Sequence, residues 1–201
     1  GVLEQNGVLP LMVVKDNPIW ASVDGSKYTG ISDAYLQDFY TFGQKSQYQY
    51  PKVNNWEVWN EPDVPRELSN KYYGGWGNTV ADGARYGKAL YAFSDGVKSV
   101  NSSAVIWSGG LMANKSKDCN NFLDGFLPTA KGKFDVFAIH GHQDSHYKGG
   151  TVYTPSYDER TDWYWDGIYN KILWFQSKLD LYGVKLPIAI NEAAKICSDE
   201  W

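Results

Sequence analysis

The most informative stretch of the sequence reads WEVWNEPD and covers Trp56–Asp63. It continues a predicted strand, Val53–Asn60, whose β-branched and aromatic side chains are typical of a buried parallel strand. Pro62 has no backbone N–H to donate, so the strand cannot continue past it. Asn60 and Glu61 are therefore expected at the point where the strand opens into a loop.

Four other apolar runs are predicted to be buried strands of the same kind. Longer segments with helical periodicity lie between them. This alternation of strand and helix is typical of an α/β protein with a parallel sheet. The four runs are Val8–Val14, Ala104–Gly109, Phe134–His140 and Leu186–Asn191.

Two of the intervening helices have strongly periodic apolar faces. One face lies within residues 80–100, with Asn78 or Thr79 as its N-cap. The other keeps a regular three-four spacing over residues 165–182 and ends at Gly183, a residue type that favours helix C-termini. Weaker helical patterns cover about residues 33–44 and 121–127.

The spacing of the predicted strands favours one α/β fold over the others. Several intervals exceed the roughly 30 residues that a simple strand-helix unit needs, so long loops must be present. In a (β/α)8 TIM barrel, such loops lie at the C-terminal face of the strands and build the active site. Five strands cannot close a barrel of eight, and an open arc would leave two unpaired edges. We therefore expect residues 1–201 to be an incomplete portion of a larger (β/α)8 barrel.

Two glutamates stand at the ends of predicted strands. Glu61 follows the first strand described above, and Glu192 ends the apolar run of PIAINEAA, Pro187–Ala194. If both strands belong to one barrel, both carboxyl groups project from the same rim. Glycoside hydrolysis requires two such groups, because one protonates the leaving oxygen while the other attacks the anomeric carbon or activates water. A lone strand-end glutamate is usually a surface residue, so this interpretation depends on the pair.

The Asn60-Glu61-Pro62 motif at one strand end, with Glu192 at a strand end three units later, resembles the clan A glycoside hydrolases. The resemblance implies a barrel that hydrolyses β-type glycosides with retention, in which this chain is one incomplete catalytic domain covering strands 3 to 7. It implies that Glu61 is the general acid/base, that Asn60 binds the sugar 2-hydroxyl and that Glu192 is the nucleophile. Within the clan, the motifs VLPLMVV, WEVWNEP and DVFAIH are most similar to family 39, with family 5 close behind.

All three histidines lie at the end of the strand predicted at 134–140 or just after it. The family commonly has a His here, followed two residues later by a Tyr that hydrogen-bonds the nucleophile. In this sequence His140 matches the first position, and His142 takes the place of the Tyr. An imidazole at this position can still donate to Glu192, but it changes the protonation balance of that carboxylate. We expect both His140 and His142 to contact substrate.

The same segment also fits a metal site. His140, His142, Asp144 and His146 alternate, and imidazole and carboxylate groups are good ligands for Zn²⁺ or Mn²⁺. A metal-dependent hydrolase that uses the His140/His142 cluster is therefore one alternative. The leading prediction has no metal and no cofactor, because the run includes Gly141 and leaves the strand for a loop.

Aromatic residues make up 16% of the chain, more than a small core needs. Sugar rings stack on aromatic side chains, which predicts a carbohydrate partner. Trp20, after the first predicted strand, and Trp76, in a glycine-rich insertion, are the leading candidates for substrate binding. For any single aromatic, packing of its loop onto the barrel is an equally good interpretation. Further candidates in the loops are Tyr72, Tyr73, Tyr147, Tyr153 and Tyr157.

Other function classes find little support. A net charge of −4 argues against binding to nucleic acid or to an anionic membrane surface. The sequence contains neither a phosphate-binding loop nor a G-x-S-x-G elbow. Cys119 and Cys197 are too few for a disulfide scaffold, and whether they pair is left open. Asn101 and Asn114 begin glycosylation sequons, which favours a secreted protein.

One further alternative is a non-catalytic carbohydrate-binding barrel that keeps the cleft without turnover. Its support is the departure from the family at His142. The missing barrel strands are expected to come from the rest of the polypeptide or from another chain.

Overall fold

The structure is a computed structural model that describes residues 5–69, 74–112, 116–141, 143–145, 147–148, 151–152, 167–192 and 195–197. Its longer strands are β1 Leu11–Val14, β2 Asn55–Val58, β3 Val105–Ser108, β4 Phe137–His140 and β8 Ile188–Glu192. The short strands are β5 Gln143–Ser145, β6 Tyr147–Lys148, β7 Thr151–Val152 and β9 Lys195–Cys197. The helices are α1 Leu36–Gln49, α2 Val80–Val100, α3 Ser116–Ala130 and α4 Gly167–Leu181.

The five longer strands form a parallel arc in the spatial order β1-β2-β3-β4-β8. β1 pairs with β2 and β2 with β3 in parallel register, and β4 pairs in the same way with β8. Parallel bridges from Trp107 to Val136 and from Leu111 to Ile139 connect β3 to β4. The prediction of an α/β protein with a parallel sheet is confirmed. Within the described residues the arc does not close into a barrel.

The helix predictions are correct in position and too short in two cases. Thr79 is the N-cap of α2, and it exchanges hydrogen bonds with Asp82 in a capping box. The segment predicted as a helix from residue 33 begins with a 3-10 turn, and α1 then extends to Gln49. Similarly, α3 exceeds the predicted 121–127 at both ends, because its terminal turns lack the apolar periodicity that marks its centre.

No helix in the described part of the chain is long and apolar enough to cross a membrane. The segment Gly167–Leu181 forms α4, and Gly183 follows it with a φ of 62°. That left-handed conformation ends the helix as predicted, because glycine adopts it without steric cost. Trp165, the first residue of the predicted apolar face, lies outside the described residues.

The core between the arc and the helices is largely aromatic. Nine of the largest fully buried side chains are Trp, Tyr or Phe, so packing accounts for much of the aromatic content that composition assigned to a cleft. Their rings meet mostly in edge-on and tilted pairs, with centroids about 5–6 Å apart. These residues are Trp56, Trp59, Trp76, Tyr86, Phe93, Phe122, Phe126, Phe137 and Phe175.

Glycines allow the helices to pack closely around this core. A Cβ atom at Gly43 would meet the Phe93 carbonyl, and one at Gly96 would meet the Tyr40 carbonyl, across the α1–α2 contact. Gly83 and the residues opposite it make a similar contact between α2 and α3. The helix axes can approach only because these positions lack a side chain.

We predict that Gly96→Ala destabilises the protein, even though alanine is the better helix former by about 0.5–1 kcal/mol. The new methyl group would press on the Tyr40 carbonyl of α1, and such overpacking costs about 1–3 kcal/mol. Denaturant unfolding measures the change. Lys88→Ala is the matched control, because Lys88 is exposed on the same helix and its ion pair with Asp33 is solvated. A Gly96→Ala protein as stable as the wild type would contradict the close packing.

Candidate active site

The turn after β2 has an unusual backbone. β2 ends at Val58, and both Trp59 and Glu61 then adopt positive φ values, 78° and 49°. Residues other than glycine seldom adopt this conformation, which persists only where the surrounding structure holds it. The Glu61 N–H donates to the Gly110 carbonyl, 3.0 Å away, at the end of the neighbouring strand. The turn is therefore fixed to β3 at the residue that carries the carboxyl group.

Aromatic packing holds the turn from the other side. The ring of Trp59 meets Trp76 edge-on, with centroids 5.2 Å apart, and its Nε1 donates to the Gly74 carbonyl. Trp76 in turn packs edge-on against Tyr86, and it has no exposed surface. The prediction of Trp76 as a sugar platform is therefore corrected. Both faces of its ring are covered by protein, and it supports the turn from the core.

Tyr86 of α2 connects the turn to the adjacent strand end. Its hydroxyl donates to the Val58 carbonyl at 2.8 Å and accepts from the Gly109 N–H at 2.7 Å. The side chain is completely buried, so both bonds form in a protected environment. One helix residue thus joins the C-terminal ends of β2 and β3.

Three of the predicted site residues meet at the C-terminal edge of the arc. The Nδ1 atom of His140 lies 2.8 Å from a carboxyl oxygen of Glu61. Its Nε2 atom lies 3.3 Å from a carboxyl oxygen of Glu192. The His140 and Glu61 side chains are 1% and 5% exposed, whereas that of Glu192 is 54% exposed. One buried imidazole therefore stands between a buried carboxyl group and a solvated one.

A β-bulge brings Glu192 to the imidazole. Ile139 of β4 pairs with Ile190 of β8, but the next β4 residue, His140, pairs with Glu192. Asn191 is the extra residue, and such a bulge turns side chains in a new direction. The Gly141 N–H donates to the Glu192 carbonyl at 2.7 Å, which fixes the strand beyond the bulge.

Sequence reasoning missed a third carboxyl group, Glu57 in the middle of β2. A single oxygen of Glu57 accepts hydrogen bonds from the Gly110 N–H, at 2.9 Å, and from Asn191 Nδ2, at 2.6 Å. Burial raises the pKa of Glu57, and these hydrogen bonds offset only part of that effect. A charged residue inside an apolar strand is itself a signal that could have identified it.

Sequence reasoning also missed Lys171 of α4, because a lysine within a helical pattern is usually solvated, whereas this one is buried. Its ammonium donates to the backbone carbonyls of His140 and Met112, at 2.7 and 2.8 Å. Burial lowers the pKa of Lys171, although the nearby charge of Asp63 opposes the change. Asp63 also accepts from the Met112 N–H at 2.9 Å. These contacts hold the loop after β3 against the end of β4.

The remaining predicted site residues are less closely tied to this cluster. Trp20 is 62% exposed and lines a pocket of about 490 Å³ between the loop after β1 and α1. Glu61, His140 and Glu192 do not line that pocket. Asn60 is partly buried between the two residues of positive φ.

His142 and His146 lie outside the described residues, as do Tyr72, Tyr73, Tyr153, Tyr157 and Asn114. Within the described part of the chain, no group of three His, Cys, Asp or Glu side chains is arranged to hold a metal ion. Cys119 is a buried free thiol, and burial raises its pKa.

No protein-family model matches the chain, and no curated protein matches its sequence. Solved structures do match. A family 39 glycoside hydrolase from Bacteroides cellulosilyticus WH2 is 16% identical over 96% of this chain and 37% of its own, with a TM-score of 0.55. A family 51 alpha-L-arabinofuranosidase from Bifidobacterium longum is 12% identical over 100% of this chain and 39% of its own, with a TM-score of 0.53. A family 44 endoglucanase from Clostridium thermocellum is 15% identical over 76% of this chain and 39% of its own, with a TM-score of 0.50.

At these identities the likeness concerns the fold. All three neighbours are glycoside hydrolases, and the chain spans 37–39% of their lengths. The chain therefore has a mixed α/β fold whose structural neighbours are TIM-barrel glycoside hydrolases.

Proposed function

We propose that this chain carries the catalytic centre of a retaining glycoside hydrolase that acts on β-type glycosidic bonds. One observation carries the proposal of a two-carboxylate site: Glu61 and Glu192, from two different strand ends, lie at the two nitrogen atoms of one buried imidazole, His140. The retaining outcome is inferred from the resemblance to the clan A glycoside hydrolases. Two carboxyl groups brought together at the C-terminal edge of parallel strands are the machinery that glycoside hydrolysis needs. The fold of the structural neighbours is consistent with this interpretation.

The two carboxyl groups have different surroundings, which suits different roles. Glu192 is solvated and acts as the nucleophile, forming a bond to the anomeric carbon as the bond to the leaving oxygen breaks. Glu61 delivers its proton to that oxygen. Glu61 then removes a proton from water, the water oxygen attacks the anomeric carbon, and the carboxylate of Glu192 is released.

His140 serves this cycle as the partner of Glu61. A carboxyl group that is almost fully buried needs a hydrogen-bonding partner in both of its protonation states. The imidazole can donate a hydrogen bond from Nδ1–H to the carboxylate, or accept one at an unprotonated Nδ1 from the carboxylic acid. Asn60, next to Glu61 in the turn, is proposed to bind the sugar 2-hydroxyl.

We infer a clan A enzyme of family 39 or family 5, in which β1, β2, β3, β4 and β8 are strands 3 to 7 of the barrel. Among the described residues β1 and β8 are the outer strands of the arc, and their exposed apolar side chains, Val13 and Ile190, support continuation of the barrel on both sides. The further strands come from the rest of the polypeptide or from another chain. Its substrate is an oligo- or polysaccharide, the exposed ring of Trp20 is a sugar contact, and the protein is secreted.

We predict that Glu192→Ala in the natural, full-length protein lowers kcat on 4-nitrophenyl β-glycosides by about 10⁴-fold or more, because no glycosyl-enzyme bond can form. Added azide should restore turnover by attacking the anomeric carbon directly. Glu67→Gln is the control, since Glu67 is an exposed carboxylate in the loop after Glu61. If Glu192→Ala retains full activity, the proposed nucleophile is wrong. A wild type that binds sugars without hydrolysing any of a broad glycoside panel would indicate a binding module.

We predict that the effect of Glu61→Gln on the reaction rate depends on the leaving group of the substrate. Glycosides with an alkoxide leaving group should react about 10²–10⁴-fold more slowly, since they need a proton from Glu61. The glycosyl-enzyme should still form from 2,4-dinitrophenyl glycosides, which leave without protonation, and it should then accumulate as a burst. Proton NMR of the wild-type reaction should detect the β-anomer first. An equal loss on both substrate types would contradict the acid/base role, and initial release of the α-anomer would contradict retention.

A further inference from the structure

Glu57 connects two strands that are not neighbours in the arc. It lies on β2, while its partner Asn191 lies on β8, and both β3 and β4 stand between them. The 2.6 Å hydrogen bond therefore crosses the inner side of the arc. Because a carboxylate oxygen can only accept, Asn191 must present its Nδ2 atom to Glu57. The orientation of the Asn191 amide is fixed by this bond.

The space around Asn191 is restricted as well. A Cβ atom at Gly110 would lie 2.7 Å from the Asn191 amide oxygen and would also collide with the imidazole of His140. The Gly110 N–H donates to the same Glu57 oxygen that receives Asn191. One oxygen of Glu57 thus accepts hydrogen bonds from a backbone group just after β3 and from a side chain of β8.

Asn191 is the bulge residue immediately before Glu192. β8 pairs with β4 on both sides of the bulge, and the hydrogen bond from Asn191 to Glu57 adds a side-chain contact at the bulge itself. The direction of Glu192 then depends on the pairing with His140 and on whatever holds Asn191. Loss of the bond to Glu57 would allow the bulge to relax and would change the position of the Glu192 carboxyl group.

We propose that Glu57 is a positioning residue for the reaction, holding Glu192 in its reactive direction through Asn191 and the β8 bulge. This proposal rests on the proposed function, since it assigns Glu57 to the same site. A displacement of about 1 Å at a reacting group can cost about 10²-fold in rate. Glu57 itself is not expected to touch substrate.

The test compares Glu57→Leu, Glu57→Gln and Asn191→Ala in the full-length protein, with 2,4-dinitrophenyl glycosides as probes. These substrates need no proton from Glu61, so their reaction reports the attack by Glu192. We expect Glu57→Leu and Asn191→Ala each to lower kcat by about 10²-fold with little change in KM. Glu57→Gln keeps an oxygen that can accept both hydrogen bonds, so it should retain most of the activity. The double variant that combines Glu57→Leu with Asn191→Ala should have a kcat no lower than that of the less active single variant, because both changes break the same hydrogen bond.

Thermal unfolding of each variant separates positioning from stability. Variants that unfold at lower temperature but keep wild-type kcat while folded would overturn the proposal, and so would Glu57→Gln losing as much as Glu57→Leu. Asn191→Ala remains informative if Glu57→Leu does not fold, because Asn191 is only partly buried. Glu192→Ala distinguishes failure of the proposed function from failure of the positioning role alone. If it is active, the proposed function fails; if it is inactive while Asn191→Ala is fully active, only the positioning role fails.

Discussion

The hydrogen bond between His140 and Glu61 is the contact on which the arrangement of the site depends. A carboxyl group buried as deeply as that of Glu61 loses nearly all its hydration, so it is stable there only with a close polar partner. The imidazole can meet that need because its own position is fixed. The backbone N–H of His140 donates to the Leu111 carbonyl, and the backbone carbonyl of His140 accepts from the Lys171 ammonium. The backbone of one strand end thus determines where the side chain of another can be buried.

Parallel topology makes such contacts possible between distant parts of the chain. Glu61 and His140 are 79 positions apart, and Glu57 and Asn191 are 134 apart. Their strands all end at one edge of the arc, so their side chains meet without any local sequence signal. The same topology means that the site can form only after β2, β3, β4 and β8 have assembled. Contacts between residues so far apart in sequence are costly in chain entropy and are expected to form late in folding.

The features predictable from sequence are those that follow from local chemistry. Buried strands are continuous apolar runs, and helices show their apolar face every three or four residues. Thr79 is readable as an N-cap because its hydroxyl satisfies a free N–H, and Asp82 completes the capping box three residues later. The placement of Glu61 and Glu192 beside one imidazole follows once both are assigned to the C-terminal ends of parallel strands.

The features that the sequence could not predict depend on contacts between residues that are distant along the chain. The bulge at Asn191 is a mismatch between two strands, so neither strand alone reveals it. The glycine-rich sequence around Trp76 does not distinguish a ring that stacks on sugar from a ring that packs in the core. In either case a large aromatic surface is removed from water. Trp76 is buried against Trp59, a residue of the turn after β2 that has a positive φ. A high aromatic content therefore predicts that many rings contact other apolar surfaces, and the tertiary structure determines whether those surfaces belong to the protein or to a ligand. For Trp76 they belong to Trp59 and Tyr86.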